Sequence, residues 1–399
     1  MAQDQVRDFS GGINQSGVRA FNERLLLSIL QRSDGLSSGE LARRTGLSPQ
    51  TTSVILRKME QDGLLVRGDP VKGKVGKPSQ PFTLNPDGAF AVGLKLGRRS
   101  ADLVVLDLAG RVRSQLRQTY DAPRPGPVMR FLHDGFQDLT SDMSADSRAR
   151  LGGLGIAAPF ELWNWTEVLG ADAGDMAAWK ETDMVAEVSD FTGLPVQMVN
   201  DATAACRAEH IFGIGRAFRD YVYFFVGALI GGGVVLDHAV FEGNQKNAGA
   251  FGSLMVPDRE GMARPLIDLA SIRSLEMRLE AAGEAPRQIW ESDNWDHIDA
   301  HVTPWIEETA DALAAASVAA SAVIDFEAVV IDGAMPAAIR ARIVDRVTAL
   351  LPAKDMRGLN RPTIAEGQIG ANARGIGAAV GPIITQFLLD RPATMFDHH

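Results

Sequence analysis

Thirteen residues, Ser37 to Pro49, hold three helix boundaries, and they restrict the fold more than any other stretch of the chain. Ser37 followed by Glu40 is a capping-box pattern that opens a helix whose Leu41 and Ala42 face inward, and Gly46 stops it. After a tight Gly46-Leu47 turn, Ser48 is placed to cap a further helix with Pro49 at its first position, where a missing N–H costs nothing. Upstream, Phe21, Leu25, Leu26 and Ile29 recur at helical spacing, which predicts a first helix ending near Asp34-Gly35. In the third helix Thr52, Ile55, Leu56 and Met59 fall at i, i+3, i+4 and i+7. That stripe is buried, and it exposes Gln50, Thr51, Ser53, Val54 and Arg57. Three short helices with such a turn form a DNA-reading motif, and these five residues are the candidates for base edges. Gln can bond adenine bidentately, Arg can do so with guanine, and Val54 can pack against a thymine methyl.

Leu64–Arg67 and Gln80–Leu84 read as two strands around a Gly-rich basic loop, Pro70 to Lys77. Its Lys72, Lys74 and Lys77 can neutralise phosphates, as a wing does. A solvated basic hairpin beside a protein-binding helical module is the alternative. Residues 1 to 88 carry twelve basic against nine acidic side chains, whereas the whole 399-residue chain is at −10. A basic head on an acidic body is the resulting expectation.

The length fits two or three domains, and 45% apolar with 23% charged residues excludes a disordered or low-complexity class. No apolar run is long enough for a membrane helix, and the N-terminus has no signal-peptide pattern, so a cytoplasmic protein is expected. A single cysteine, Cys206, excludes an internal disulfide and thiolate-clustered zinc; in its Ala-rich helix it reads as a small core residue.

Beyond Asn85-Pro86-Asp87-Gly88 the pattern alternates. Ala91–Leu96, Asp102–Asp107 and Arg111–Thr119 read as consecutive strands, followed by a helix over Val128–Met143 and strands at Leu151–Ala157 and Val196–Asn200. A second cluster has strands Tyr221–Val226 and Gly233–Leu236 flanking a Gly231-Gly232-Gly233 turn. Helices near Ala270–Ala281 and Thr303–Ala320 follow, then a strand at Val329–Ile331. The predicted fold is α/β: a winged helix-turn-helix at 1–84, a linker at 85–88, and a two-lobed body at 89–399.

The run GINQSGVRAFNERLLLSILQR from Gly12 resembles the N-terminal segment of ROK-family repressors, and Gly76 to Pro86, GKPSQPFTLNP, is similar to their wing-to-linker signature. The family combines sugar kinases with sugar-responsive regulators that carry an added winged helix, and the resemblance covers nearly the whole chain. It implies an actin-like, RNase H-like body with a sugar cleft between lobes. Val199-Asn200-Asp201-Ala202-Thr203-Ala204-Ala205 resembles the segment whose Asn and Asp hold sugar hydroxyls, the Asp being also the general base in the kinases. A carboxylate beyond a buried strand is well placed for this role, although an Asn-Asp pair there is also a common helix cap.

Several family residues are replaced. Where the kinases have an Asp followed by Gly-Gly-Thr for ATP phosphates and magnesium, this chain has Lys95 in Gly93-Leu94-Lys95-Leu96-Gly97-Arg98-Arg99. The second phosphate turn resembles Gly227 to Gly233, with Ala228 in place of Thr, and the adenosine region resembles Ile331 to Pro336 without its Gly-rich run. The sugar-binding Glu and His correspond to Ala250 and Ser253, and the zinc motif is missing. Asp175 lies near a family sugar-binding Asn. His297 and His301, at i, i+4, are either a metal pair or a surface-helix pair, and Trp163 and Trp165 either stack on sugar or pack on the lobe.

These readings predict a regulator, a repressor, that binds operator DNA as a homodimer or higher homo-oligomer. Its degenerate body senses a sugar-like effector through Asp175, Asn200, Asp201 and Ser253, with no catalysis, metal or cofactor. A sugar kinase with an accessory DNA-binding head is the alternative, and a scaffold with an empty cleft is the third reading.

Overall fold

The computed structural model describes residues 15–70, 80–159, 163 and 173–389. Two compact units emerge, one ending at Asn85 and including Phe387–Leu389, the other running from Pro86 to Gln386.

In the first unit, α1 (Gln15–Gln31), α2 (Ser38–Thr45) and α3 (Pro49–Gln61) precede an antiparallel hairpin of β1 (Leu65–Arg67) and β2 (Phe82–Leu84). The capping box forms in both directions: Glu40 N–H donates to Ser37 Oγ at 3.2 Å, and Ser37 N–H to the Glu40 carboxylate at 2.8 Å. The Ser37 hydroxyl, donating to the Glu40 carboxylate at 2.6 Å, together with the Ser37 N–H holds that carboxyl below its ordinary value. Gly46 takes the left-handed conformation at φ +68° that an ordinary side chain resists, and Ser48 caps α3 by accepting from Thr51 N–H at 3.1 Å. Thr52, Ile55, Leu56 and Met59 are all buried. The buried face of α1 differs from the expected one: Leu26, Leu27 and Leu30 are inside, while Phe21, Leu25 and Ile29 are half-buried. Five apolar residues among positions 25 to 30 leave the helix rotation open, and packing selects it.

The second unit contains two five-stranded sheets of the same topology. β3 (Phe90–Leu96), β4 (Ser100–Asp107) and β5 (Val112–Thr119) form an antiparallel meander, and β6 (Leu151–Ala158) and β7 (Val196–Asn200) extend it in parallel, giving the order β5-β4-β3-β6-β7. The second sheet repeats this with β8 (Tyr221–Val226), β9 (Gly231–Leu236), β10 (Ala239–Phe241), β13 (Ala328–Gly333) and β14 (Thr363–Glu366), in the order β10-β9-β8-β13-β14. A small hairpin of β11 (Met255–Pro257) and β12 (Ala263–Pro265) lies apart from both sheets. β3 and β8, at the centre of each sheet, are buried at every position, as strands covered on both faces are.

Helices cover these sheets: α4 (Pro125–Ser141), α5 (Ala173–Ala177), α6 (Met184–Thr192), α7 (Asp201–Phe212), α8 (Ile272–Ala281), α9 (Asp299–Val323), α10 (Ala337–Leu350) and α11 (Ala373–Phe387). The first lobe packs Leu94, Leu103, Leu132 and Ile156 in one core. The second packs Trp295 and Trp305 edge to face, centroids 6.1 Å apart, with Leu275, Leu313 and Ile331.

Gly231-Gly232-Gly233 opens strand β9 and is not the expected turn. A Cβ on Gly233 would come within 2.4 Å of Cys206 Cβ, and one on Gly232 within 2.2 Å of the Tyr223 carbonyl. The glycines there permit close packing of α7 on the strand, a requirement that a turn signal imitates. Likewise a Cβ on Gly155 would lie 1.9 Å from the Ala378 carbonyl, so β6 and α11 meet backbone to backbone.

Candidate functional site

The exposed face of α3 presents Gln50, Thr51, Val54 and Arg57, with Val54 56% exposed. Val54 thus stands exposed beside the polar side chains of this face, where a major groove offers the thymine methyl as an apolar contact. Ser53 is half-buried, with its Oγ 3.4 Å from Ser38 Oγ. Lys72, Lys74 and Lys77 fall outside the described residues.

Two clefts open among the described residues of the body. The larger, about 680 Å³, is lined by Trp163, Trp179, Lys180, Thr182, Asn200 and Glu242 among others. That volume lies within the roughly 300–1,000 Å³ typical of small-molecule sites. Asn200 ends β7 and caps α7, its Oδ1 accepting from Ala202 N–H at 3.0 Å and Thr203 N–H at 3.2 Å. Both sequence readings of this residue are thereby compatible, since the Oδ1 serves the helix while the residue lines the cleft. Asp201 begins α7, and its Oδ2 accepts from Arg374 Nη1 at 3.1 Å. Asp175 sits in α5, its side chain outside the described residues, and Ser253 is exposed and lines neither cleft.

The smaller cleft, about 130 Å³, is lined by Lys95, Arg98, Arg99, Arg117 and Arg374 against Asp102 and Asp293. Lys95 Nζ donates to Asp102 Oδ2 at 2.7 Å and Ser100 Oγ at 2.8 Å. Burial, with the Arg374 charge adding to it and Asp102 opposing, lowers the Lys95 ammonium from 10.5 to about 8. Burial raises Asp102, but the Lys95 charge and hydrogen bond outweigh it, leaving that carboxyl below its ordinary value. Arg98 crosses from the first lobe to the second, donating to Glu276 Oε2 at 2.8 Å.

A profile of the ROK family matches residues 91–380, and one of the MarR family matches residues 21–74. The chain belongs to the ROK family. It is 24% identical to the uncharacterized protein y4fQ of Sinorhizobium fredii over 92% of each chain. It is 20% identical to the xylose repressor of Bacillus subtilis over 61% of this chain and 62% of the repressor. Among solved structures, a ROK family transcriptional regulator described as a homolog of the E. coli MLC protein superposes with a TM-score of 0.65 at 18% identity, covering 93% of this chain and 98% of that one. The fold is thus a ROK body carrying a MarR-type winged helix.

Within this ROK chain, sequence reasoning passed over Arg374, Arg117 and Glu276. Arg98 was visible beside Lys95 in a cationic turn, but Arg374 lies 173 residues from the Asp201 it holds, and no local pattern joins them. His297 lies in a short turn before α9, not on the helix with His301, so the two share no helical face; His301 pairs with Glu284 at 3.1 Å. Among the described residues no three His, Cys, Asp or Glu side chains converge as a metal set would. No helix among them is long and apolar enough to cross a membrane. Cys206 is fully buried, and burial pushes its thiol well above the ordinary value.

Proposed function

We propose that this protein is an operator-binding transcription repressor whose body senses a sugar-like, polyhydroxylated effector and has no kinase activity. The observation that carries the reading is the outward presentation of Gln50, Thr51, Val54 and Arg57 by α3, on a winged-helix head attached to a ROK body. One such helix reads only a few base pairs, so a symmetric dimer reading two half-sites about 34–36 Å apart is part of the proposal.

The larger cleft supports the effector half. Asn200, Thr182, Lys180 and Glu242 offer donors and acceptors, and Trp163 offers an apolar wall, a combination suited to sugar hydroxyls and ring faces. Asp201 follows Asn200 in the chain and Asp175 precedes Trp179 by four residues, and these two with Ser253 are retained as further proposed contacts. Effector binding then biases lobe or dimer geometry, a coupling typically worth about 1–3 kcal/mol.

Against a kinase, the residues present do not fit a magnesium nucleotide. Lys95 takes the place where the family's Asp would stand, and Arg98, Arg117 and Arg374 line the same cleft with Asp102 already held by Lys95, so a divalent cation would meet an excess of positive charge there. The Asp201 carboxylate, needed as a base by a kinase, is held by Arg374.

Fluorescence anisotropy on a duplex selected from a random pool by the intact protein tests the proposal. A chain lacking residues 1–84 should lose binding altogether, and Asp201→Ala should keep DNA binding but lose the effector response. Retained operator affinity without residues 1–84, or sugar-dependent ADP release that disappears in Asp201→Asn, overturns it.

A further inference from the structure

Buried ion pairs in a two-lobed body are of two kinds, those that lie within a lobe and those that need both lobes. Lys95–Asp102 is of the first kind: the two residues face each other on paired strands β3 and β4, and no lobe movement separates them. Arg98–Glu276 is of the second. Arg98 belongs to the turn between β3 and β4 and Glu276 to α8 of the second lobe; their side chains are 6 and 2% exposed, with Nη1 and Oε2 2.8 Å apart.

Each end of this bridge is fixed on its own lobe. Gly97 N–H donates to the Ser100 carbonyl at 2.9 Å and closes the Arg98 turn, while Tyr120 Oη, just beyond β5, donates to the Gly97 carbonyl at 2.7 Å. Across the gap, Glu276 Oε1 accepts from Trp290 Nε1 at 2.8 Å and Oε2 also from Arg273 Nη1 at 3.3 Å, and Arg273 meets Glu280 at 2.9 Å. Arg98 and Arg273 are thus balanced by Glu276 and Glu280. α8 is anchored in turn at the end of β8, Ile272 and Arg273 N–H donating to the Gly227 and Ala228 carbonyls at 2.9 and 3.1 Å. The bridge therefore joins the ends of β3 and β8, the central strands of the two sheets.

Such a pair has two favourable arrangements. With the lobes together both ions are desolvated and each meets a counter-charge; with the lobes apart both are hydrated, and the desolvation cost disappears along with the attraction. Because the two terms oppose each other, the bridge fixes where the lobes meet more than how strongly. The Arg98 Nε–H is also buried with no hydrogen-bond partner among the described residues, a deficit that water meets on opening. Removing one partner breaks this balance, since the other ion then regains its stabilisation only by reaching water.

We propose that Arg98 and Glu276 form a releasable clasp that sets the closure of the two lobes and, through it, the width of the larger cleft. That cleft is walled by Leu96, Glu181 and Asn200 from the first lobe and by Glu242, Gln245 and Lys246 from the second. Leu96 ends β3, two residues before Arg98, so the strand that lines the cleft also carries the clasp. The regulatory consequence rests on the proposed sensor role of this cleft: an effector that touches both walls binds the clasped state more tightly and shifts the population toward it.

Double electron–electron resonance on the full chain without DNA tests the clasp. Spin labels at Glu181→Cys and Gln245→Cys, exposed positions on opposite walls of the larger cleft, report its width, and the buried Cys206 stays unlabelled. In this background Arg98→Gln and Glu276→Gln should each shift the distance distribution to longer values and broaden it. Arg273→Gln, which removes a cation from the same carboxylate within one lobe, should leave the distribution in place. The double variant Arg98→Gln with Glu276→Gln leaves neither ion of the bridge unpaired and so keeps the fold; it should show the same shift, which separates release of the clasp from damage to either lobe. Distances equal to the parent's in all three bridge variants overturn the proposal, as does a shift of the same size in Arg273→Gln. Because neither DNA nor effector is present, the result stands whether or not the protein binds an operator or a sugar; unchanged distances beside intact operator and sugar responses sink this inference alone.

Discussion

Ion pairs in the winged-helix head and at the smaller cleft of the ROK body use the same residue types under opposite solvation. In the head, Arg67 Nε meets Glu60 at 2.7 Å and Lys58 pairs with Asp62, with all four side chains 31 to 47% exposed. In the body, Arg98–Glu276 at 2.8 Å and Lys95–Asp102 at 2.7 Å leave their side chains 2 to 15% exposed. Water and salt already screen the first set, so each pair contributes little and the free cations remain available to a polyanion. The second set is removed from that screening, and each charge there depends on its named partner. Head behaviour should therefore follow salt concentration, and body behaviour should follow ligand occupancy and pH.

The largest effect that separates the two is expected from Arg98→Gln. It leaves Glu276 buried with Arg273 at 3.3 Å and Trp290 Nε1 at 2.8 Å as its remaining partners, and breaking a buried pair from one side typically costs about 3–5 kcal/mol. Urea unfolding should show a loss near the lower end of that range, with little change between low and high salt. A loss below about 1 kcal/mol, or one that salt removes, would make the cleft pair equivalent to a surface pair and erase the distinction.

Next in size is Arg57→Ala on the head. A bidentate base contact is worth about 1–3 kcal/mol of discrimination, so specific operator affinity should fall by that amount while non-specific binding changes less. Replacing Lys72, Lys74 and Lys77 together should instead weaken binding to all sequences and flatten the salt dependence. Anisotropy titrations on operator and scrambled duplexes across salt separate the two; an equal loss on both duplexes for Arg57→Ala would place this side chain on the backbone.

The same contrast in range decides what could be read from the chain directly. Helix boundaries in the head rest on residues three or four apart, Ser37 with Glu40 and Ser48 with Thr51, and the buried stripe of α3 was legible for the same reason. Strands of the body were legible as apolar runs, and the family resemblance supplied the lobes. The duplicated sheet order was not, because strand adjacency such as β3 beside β6 is settled by packing over long separations. At the cleft, Lys95 announced itself by standing where an acid was expected, whereas Glu276 is 178 residues from Arg98 and carries no local mark. The glycines of β9 misled because close helix approach and turn formation ask for the same residue.

A smaller, pH-dependent effect belongs to Lys95. Its folded value is lowered by burial and by Arg374 to about 8, below the 10.5 of an ordinary lysine. Facing it are Ser100, Asp102, Arg117 and Arg374. Below about pH 8 both folded and unfolded chains hold the proton, and the burial cost is fully present. Between that value and 10.5 the unfolded chain holds a proton that the folded one has released, so this residue makes stability rise with pH over that window. Lys95→Met should lack the rise, visible as a difference between the two urea midpoints that narrows from pH 7.5 to pH 10, about the span set by those two values. A constant difference would mean that Asp102 keeps Lys95 protonated throughout.

The smallest effect comes from the head, in Glu60→Gln, which keeps Arg67 stacked over the Phe82 ring at 4.8 Å while removing the carboxylate. Exposed pairs contribute about 0.2–1 kcal/mol, and the two bonds from Arg67, at 2.7 and 2.9 Å, place this one toward the upper part of that range. The hydrogen bond from Arg67 holds the Glu60 carboxyl below its ordinary value of 4.5. Its contribution is therefore present above that ordinary value and is lost as pH falls through the lowered one. Urea unfolding of wild type and Glu60→Gln should differ at pH 7 in low salt and converge both at about 1 M salt, where screening acts within roughly 3 Å, and in acid. If the difference persists at high salt, the hydrogen-bond geometry and not the charge carries it, and the division between screened head and unscreened body would have to be redrawn at this pair.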